Sequence, residues 1–136
     1  MWFRRDLRFE DNRALYEACR THKDVLPVFI FDPNILKKLK PDDARVTFIH
    51  NRLHELEKIE VHFGDPKDVW TKLLKKYDVE AVYTNRDYEP YALKRDQSIR
   101  KLTEKNGTEF KTFKDQCIFE NLEVTKDNGK PYTVYT

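Results

Sequence analysis

Serine and glycine are scarce in this chain of 136 residues, which has a single serine, Ser98, and three glycines. Such low glycine content excludes a Gly-rich phosphate loop of the GxGxxG or Walker A type, and Ser98 does not stand in a nucleophile elbow. Cys19 and Cys117 are the only cysteines, and their spacing forms no CxxC pair. A disulfide scaffold is therefore not indicated, and a reducing compartment is expected.

Long apolar runs are absent as well. No run approaches the ~20 residues of a membrane helix, and the opening Met-Trp-Phe-Arg-Arg lacks the apolar region of a signal peptide. Charged residues make up 37% of the chain, but 26 Lys and Arg oppose 24 Asp and Glu, for a net charge of +2. This balance does not by itself argue for nucleic acid. We expect a cytoplasmic protein, or a nuclear one in a eukaryote, without a membrane partner.

What the chain does contain is a repeated alternation of short β-branched or aromatic runs with longer stretches of helical spacing. This alternation is typical of βαβ units. It predicts a single α/β domain over residues 1–136 with a parallel sheet of about five strands. The predicted strands are Met1 to Phe3, Leu26 to Phe31, Val61 to Phe63, Ala81 to Thr84, and Phe110 to Phe113, with regular pairing of the second beginning after Pro27.

Helix starts and faces can be predicted from capping residues and apolar spacing. Asp11 is predicted to cap the first helix, and Asp42 or Asp43 the second. Further helices are expected over residues 67–77 and 91–105. The apolar residues that share a sheet-facing side are Leu15, Ala18 and Cys19 in the first helix and Val46, Ile49, Leu53 and Leu56 in the second.

One junction lacks the residues of a turn. The second helix is predicted to end near Ile59, directly before the strand at Glu60, although a change of direction usually takes about 2–6 residues containing Gly, Asn or Asp. We therefore expect that a loop, and with it a helix end, is missing between residues 59 and 60. The short first strand likewise predicts residues upstream of Met1 in the parent protein.

Polar residues follow every predicted strand, at the edge of a parallel sheet where ligands bind. Each strand end contains an aspartate. Helix capping is the favoured role for Asp32 and Asp65, whereas for Asp87 and Glu89 capping and ligand contact both stay open. The first loop holds Arg4, Arg5 and Arg8, whose guanidinium groups suit phosphate or carboxylate; internal ion pairs, with acids such as Asp6, Asp11 and Asp96, are the favoured interpretation. The five strand ends are 4–6, 32–34, 64–66, 85–90 and 114–116.

Catalytic and metal sites are not indicated. His50 and His54 are four residues apart on a predicted helix, a spacing that can bind a metal, but the remaining ligands are missing and a solvated face is the favoured interpretation. From the residues alone, the chain is a nucleotide-binding-like α/β domain without visible catalytic groups.

Several segments, in this order, resemble the amino-terminal domain of the DNA photolyase and cryptochrome family. The first is Trp2-Phe3-Arg4-Arg5-Asp6-Leu7-Arg8 with Asp11-Asn12, and the resemblance covers essentially the whole chain. The later segments are 27–33 (Pro-Val-Phe-Ile-Phe-Asp-Pro), 44–46 (Ala-Arg-Val), 64–66 (Gly-Asp-Pro), 87–92 (Asp-Tyr-Glu-Pro-Tyr-Ala) with Arg95-Asp96, and 129–136 (Gly-Lys-Pro-Tyr-Thr-Val-Tyr-Thr).

The resemblance implies a light-harvesting antenna domain with a doubly wound, five-stranded, mostly parallel sheet and helices on both faces, as in Rossmann-like folds. In the parent protein this domain is joined to a helical domain that binds FAD. That helical domain is absent from this sequence, so the chain alone is expected to bind no FAD tightly and not to repair DNA, whereas the parent would act on UV-damaged DNA. Carried over by position, the residues of an antenna-pigment site are Phe31, Leu36, Arg45, Asp87 and Glu89. A deazaflavin or FMN is favoured over folate, since Tyr91-Ala92 replaces the Asn-Glu of folate-binding members.

Three functional hypotheses follow. The leading one is the amino-terminal domain of a deoxyribodipyrimidine photolyase that repairs pyrimidine dimers with blue light. The second is a cryptochrome photoreceptor domain with the same fold and a signalling output. The third is a stand-alone nucleotide-binding α/β module, which a gene ending near Thr136 would favour.

Overall fold

Strands and helices alternate along the chain in a computed structural model, which describes residues 1–120, 123–130 and 132. The five predicted strands are all present, in the predicted order. Within the described residues, no helix has the length and apolarity needed to cross a bilayer. The elements are β1 (Trp2–Phe3), α1 (Arg13–Thr21), β2 (Val28–Phe31), α2 (Pro33–Leu36), α3 (Ala44–Glu55), β3 (Glu60–Phe63), α4 (Pro66–Lys76), β4 (Ala81–Asn85), α5 (Pro90–Lys105) and β5 (Glu109–Phe113).

The strands are parallel, but they form two sheets instead of the single sheet predicted. One has the order β1-β2-β3, with Trp2 opposite Val28, and the other pairs β4 with β5. β1 and β4 lie side by side, where the Thr84 hydroxyl donates to the carbonyl oxygen of Trp2 at 3.0 Å. With only two residues, β1 has too few backbone groups for a ladder on both edges. The spatial order is therefore 3-2-1-4-5, and winding reverses between β1 and β4.

The core has two parts, one on each face of the strands, because neighbouring residues of β1 point in opposite directions. Phe3 packs with Ala14 of α1 and Leu53 of α3 on one face. Trp2 packs on the other with Trp70 of α4 and with Ile99 of α5. Helices thus cover both faces, which confirms the predicted doubly wound α/β class.

Asn12, and not Asp11, caps α1. The Asn12 side chain accepts from the backbone N–H of Leu15 at 3.1 Å, whereas Asp11 lies one residue outside the helix with a left-handed backbone, φ 48°. A cap needs an extended backbone so that its side chain turns back over the first helical turn, and Asn12 has one. Cys19 is exposed, so it is not part of the sheet-facing side on which Ala18 is buried.

At the second helix, Asp43 is the cap, which agrees with one of the two predicted candidates. Its carboxylate accepts from the N–H of Arg45 at 3.0 Å. The helix ends at Glu55, earlier than the predicted end near Ile59. Residues 56–59 make the turn instead, with Glu57 in the left-handed region at φ 44°, where glycine is usual. The segment predicted to be missing between residues 59 and 60 stays a prediction.

β3 forms the outer edge of its sheet, and one of its faces is open. Val61 and Phe63 point to the same side of the strand, and Phe63 is 74% exposed. Val61 is 46% exposed, and it forms with Phe63 what we call the β3 apolar edge.

The motif over residues 129–136 lies mostly outside the described residues. Only Gly129, Lys130 and Tyr132 of that motif are described.

Candidate functional site

A cleft of about 880 Å³ opens at the carboxyl ends of β1, β2 and β4, bounded by α2, α3 and the start of α5. Its volume lies within the range of small-molecule sites, ~300–1,000 Å³. All five residues predicted for an antenna-pigment site line this cleft. They come from separate segments of the chain, and their spacing in the sequence does not show that these segments meet. These residues are Phe31, Leu36, Arg45, Asp87 and Glu89.

One wall of the cleft is apolar. Phe31 ends β2 and Leu36 ends α2, and both side chains are half-buried. Ile35 and Phe48 continue this wall and are exposed. A planar aromatic ring system can stack on such a wall and bury apolar surface, which is the main source of affinity in small-molecule sites.

The opposite wall is polar and follows β4. Arg5 lies between two acids: its guanidinium is 3.3 Å from Asp87 and 2.9 Å from Glu89. The Asp87 side chain is only 9% exposed, whereas that of Glu89 is 66% exposed. The bond to Glu89 raises the pKa of Arg5, and the charge of Asp87 adds to the shift. A ligand therefore meets a charged triad of net −1, with Asp87 as its sheltered member.

Of the two roles that the sequence left open for Asp87, capping is not confirmed, because no side chain among the described residues caps α5; Asp87 makes only a turn contact before the helix. Its Oδ1 accepts from the backbone N–H of Glu89 at 3.4 Å, at the start of α5. Glu89 is the residue at the N-cap position, and its own side chain makes no capping bond. Glu89 is therefore free of a helix-capping role, and its carboxylate faces Arg5.

Arg45 lies on the rim of the cleft with its guanidinium directed at Asp43. Its Nε and Nη2 donate to the two carboxylate oxygens at 2.8 and 2.7 Å. The same contact lowers the pKa of Asp43 to about 2. Arg45 would have to exchange this bidentate partner for a ligand, and its role in binding is therefore the least direct of the five.

Both Asp32 and Asp65 cap a helix, which confirms the role favoured from the sequence. The Asp32 carboxylate accepts from the N–H of Asn34 at 2.8 Å, and that of Asp65 from the N–H of Lys67 at 2.9 Å. Asp32 has a second partner that the sequence did not reveal, since the Tyr91 hydroxyl donates to it at 2.5 Å. Burial and this bond raise the pKa of Tyr91 to about 12.

The arginines of the first loop are used for internal ion pairs, as favoured from the sequence. Arg4, whose side chain is 9% exposed, pairs with Asp96 at 2.5 Å, and Arg8 pairs with Asp115 at 2.8 Å. Burial lowers the pKa of Arg4, and the charge of Asp96 opposes that shift. Of the predicted partners, only Asp96 makes an ion pair in this loop: Asp6 accepts from the backbone of Arg4 at 2.8 Å.

A group of hydrogen bonds centred on Asn85 holds the first loop to β4. The Asn85 side chain donates to Asp6 at 2.7 Å and to Asn12 at 2.9 Å, and it accepts from the N–H of Ala14 at 3.0 Å. The first loop, β4 and the start of α1 are thereby tied together at the point where winding reverses. Asn85 had no signal in the sequence beyond its place at a strand end.

Residues of the cleft that sequence reasoning missed are Trp2, Tyr91 and Arg95. Trp2 forms part of its buried floor, and Tyr91 and Arg95 lie one turn apart on α5. The four-residue spacing of Tyr91 and Arg95 was a usable signal, because it places both side chains on one helix face.

Metal binding has no support in the part of the chain that is described. His50 and His54 are neighbours on α3 with ring centroids 4.6 Å apart, and both are exposed. No group of three or more His, Cys, Asp or Glu residues suited to a metal ion occurs among the described residues.

Fold and cleft together define the class of this protein. It is a doubly wound α/β domain of the kind whose ligand crevice lies outside the carboxyl ends of the strands, next to the reversal of strand order. The chain belongs to the DNA photolyase family, whose model matches residues 1–136.

Individual relatives agree with this assignment. A deoxyribodipyrimidine photo-lyase of Synechococcus sp. is 31% identical over 142 residues, covering 98% of this chain and 29% of the relative. The archaeal photolyase of Sulfolobus tokodaii, whose structure has two FAD molecules and implies a novel light-harvesting cofactor, is 38% identical with a TM-score of 0.72 over 84% of this chain and 28% of that one.

A bacterial class III photolyase of Agrobacterium tumefaciens is 26% identical, with a TM-score of 0.83 over 99% of this chain and 29% of that one. Cryptochromes are also among the matches. The chain therefore spans less than a third of the length of these photolyases, and it corresponds to their amino-terminal part.

Proposed function

We propose that this chain is the light-harvesting domain of a deoxyribodipyrimidine photo-lyase, which in its full-length form repairs UV-induced pyrimidine dimers in DNA with blue light. The observation that supports it is the cleft, in which all five residues expected for an antenna pigment meet at the strand ends of a photolyase-family domain. A bound pigment absorbs light and passes the excitation on, and the residues of this chain hold and orient it.

The cleft favours a planar tricyclic pigment, a deazaflavin or FMN, over folate. Phe31 and Leu36 offer a half-buried apolar surface for one face of the ring system. Asp87 and Glu89 offer acceptors to ring N–H or hydroxyl groups, with Arg5 fixing their positions. The Tyr91-Ala92 pair in place of Asn-Glu adds to the case against folate.

The parent protein is proposed to contain a helical FAD-binding domain that follows this one and closes the open side of the cleft. The short span of this chain relative to the photolyases it matches supports that proposal. The electron-transfer chemistry belongs to the FAD, and the proposed arrangement assigns the FAD pocket to the helical domain. We therefore expect this chain alone to lack FAD and repair activity, and we propose a cytoplasmic parent, or a nuclear one in a eukaryote.

A segment missing between residues 59 and 60 also remains part of this proposal. The alignment with the Synechococcus photo-lyase runs over 142 positions, so the relative has at least six positions without a counterpart among the 136 residues here. The parent gene tests this directly: an uninterrupted Ile59-Glu60 junction would exclude a missing segment.

Pigment titration tests the antenna role. Adding this chain to FMN or to a 5-deazaflavin should change pigment fluorescence and raise its anisotropy, with weak affinity because one side of the cleft is open to water. Asp87→Ala should weaken binding about two- to fivefold, as expected for a charged contact near solvent, and more in the full-length parent, where the second domain lowers the local dielectric. Asp68→Ala, which removes an exposed carboxylate of α4, is the matched control.

An unchanged affinity in the full-length Asp87→Ala protein would exclude Asp87 from the pigment site and leave it with its ion pair to Arg5 and its turn contact to Glu89. A cryptochrome is the second candidate, since cryptochromes are among the relatives. The two differ in their output, and dimer repair by the full-length parent under blue light decides between them.

A further inference from the structure

Two oxidisable aromatic rings and one arginine lie together in the cleft. The guanidinium carbon of Arg95 is 5.0 Å from the ring centroid of Trp2 and 5.9 Å from that of Tyr91. The Arg95 side chain is only 8% exposed, so its charge is poorly screened by water. All three residues line the cleft proposed to hold the pigment.

Further cations reinforce this placement. The guanidinium carbon of Arg4 is 5.3 Å from the Trp2 ring centroid, and the ammonium nitrogen of Lys38 is 5.7 Å from that of Tyr91. Arg4 and Arg95 share one carboxylate, Asp96, at 2.5 and 2.9 Å. Two cations therefore share a single carboxylate beside Trp2, and Asp6 is a further acid close to Arg4. The two guanidinium groups are the charges that lie about 5 Å from the indole ring.

One contact of Tyr91 favours its oxidation and so opposes the effect of the nearby cations. Its hydroxyl donates to the Asp32 carboxylate, which could accept the phenol proton during oxidation. Arg95 and Lys38 flank the ring itself and act against the loss of an electron. Trp2 has no such carboxylate partner among the residues that the structure describes, and its radical cation would lie beside the charges of Arg4 and Arg95.

These charges matter for a light-harvesting pigment, because photoexcited flavins and deazaflavins are strong one-electron oxidants. An electron that passes from a nearby indole or phenol ring to the excited pigment leaves the ring one electron short and the pigment reduced by one electron. The electron then returns, together with the proton if the Tyr91 phenol has passed one to Asp32, so no net bond change remains and the excitation is lost as heat. A positive charge about 5 Å from the donor ring raises the energy of the oxidised ring, and this interaction is strong where water is excluded.

We propose that Arg95, assisted by Arg4, preserves the excited state of the pigment by making Trp2 and Tyr91 poor electron donors. Arg95 is thus a residue that acts through two neighbouring rings instead of binding the pigment. This inference rests on the proposed antenna function. Light harvesting requires pigment binding and also an excitation that persists long enough to be passed on, and the residues that bind the pigment do not by themselves ensure the second.

The fluorescence lifetime of bound FMN, resolved from that of free FMN by its anisotropy decay, tests the inference. Arg95→Met should shorten the lifetime roughly threefold or more, because the nearest positive charge is removed from both rings. Arg95→Lys should keep most of the lifetime. Arg100→Met is the matched control: Arg100 lies on the same helix, 5.2 Å from the ring centroid of Phe110, and outside the cleft.

Replacing the donor rings separates this role from a merely structural one. In the Arg95→Met background, Trp2→Phe or Tyr91→Phe should restore the long lifetime, according to which ring donates. A shortened lifetime that neither replacement restores would point to a loosened cleft and overturn the inference. In the otherwise unchanged chain, Trp2→Phe should leave the lifetime within about a factor of two. A larger increase would mean that Trp2 quenches despite Arg95, and would overturn the inference without any Arg95 variant.

Failure of the inference and failure of the proposed function give different results. If FMN binds and its lifetime is the same in the wild-type and Arg95→Met chains, the inference is wrong and the antenna role stands. If neither FMN nor a 5-deazaflavin binds to the wild-type chain, the proposed function is wrong and the inference falls with it.

Discussion

Replacing Asn12 by alanine should destabilise the domain far more than any change at the neighbouring Asp11. Asn12 is buried, and its side-chain oxygen accepts from the N–H of Leu15 and from Asn85 at 3.1 and 2.9 Å. Its amide donates to the carbonyl oxygens of Asp6 and Arg8 at 3.2 and 3.3 Å. One side chain therefore caps α1 and holds the first loop against β4.

The magnitude follows from these bonds taken one by one. Loss of an N-cap costs ~1 kcal/mol. Asn85 keeps its other acceptor, Asp6, at 2.7 Å, so its amide is not left without a partner. The two carbonyl oxygens lose long hydrogen bonds, which together add about 1 kcal/mol. The expected decrease in the free energy of unfolding is about 2 kcal/mol, which lowers the urea midpoint by about 1 M at an m-value near 2 kcal/mol/M.

Urea denaturation followed by circular dichroism provides the measurement, with Asp11→Asn as the control. Asparagine tolerates the left-handed backbone of residue 11, and Asp11 is exposed, so this variant should keep the wild-type midpoint. If Asn12→Ala keeps the wild-type midpoint, Asn12 does not cap the helix and its assignment as the cap is wrong.

Other regions give three further predictions. Glu57→Gly should raise the free energy of unfolding by about 0.5–1 kcal/mol, measured by urea denaturation, because residue 57 has φ 44°. The Asp43 carboxyl, bonded to Arg45, should titrate by NMR at about 2; its stabilising contribution is present above the ordinary pKa near 4, and it disappears as the pH falls through about 2. Tyr91 should ionise near pH 12 in ultraviolet absorbance, and Asp32→Asn should lower that pKa; here the stabilisation is present below ~10 and is lost as the pH rises through about 12.

Each of these three has a clear contrary result. A Glu57→Gly variant that is less stable than wild type would mean that contacts of the glutamate side chain stabilise the fold by more than its left-handed backbone destabilises it. An Asp43 titration that does not move upward in Arg45→Ala would exclude the bidentate pair as its cause. A Tyr91 ionisation unaffected by Asp32→Asn would leave burial alone as the reason for its raised pKa.

Much of the fold follows from local signals in the sequence. The strands have β-branched and aromatic runs, and aspartates at positions 32, 43 and 65 precede helices as capping residues do. Asp11 and Asn12 are equally good caps by residue type. Asn12 takes the role because Asn85, distant in sequence, donates to the same side chain. Tertiary contacts of this kind have no local signal.

The candidate site was predictable only in part, for a related reason. Asp87 and Glu89 stand at a strand end, where parallel sheets bind ligands, so their type and position carry information. The role proposed for Trp2 and Arg95 depends on a contact between β1 and α5, which are far apart in the sequence. Trp2 looks like an ordinary core residue in the sequence, and Arg95 like an ordinary helix-surface cation.

The β3 apolar edge determines how this chain should behave when it is concentrated. Edge strands that escape association usually have a lysine, a proline or a bulge, and the sequence of β3, Glu-Val-His-Phe, contains neither lysine nor proline. Val61 and Phe63 are open to water, and the outer edge of β3 has no strand partner among the described residues. An open edge beside an exposed apolar surface favours aggregation. A charged residue in place of Phe63 should reduce association through this edge and improve solubility, because position 63 belongs to neither part of the core.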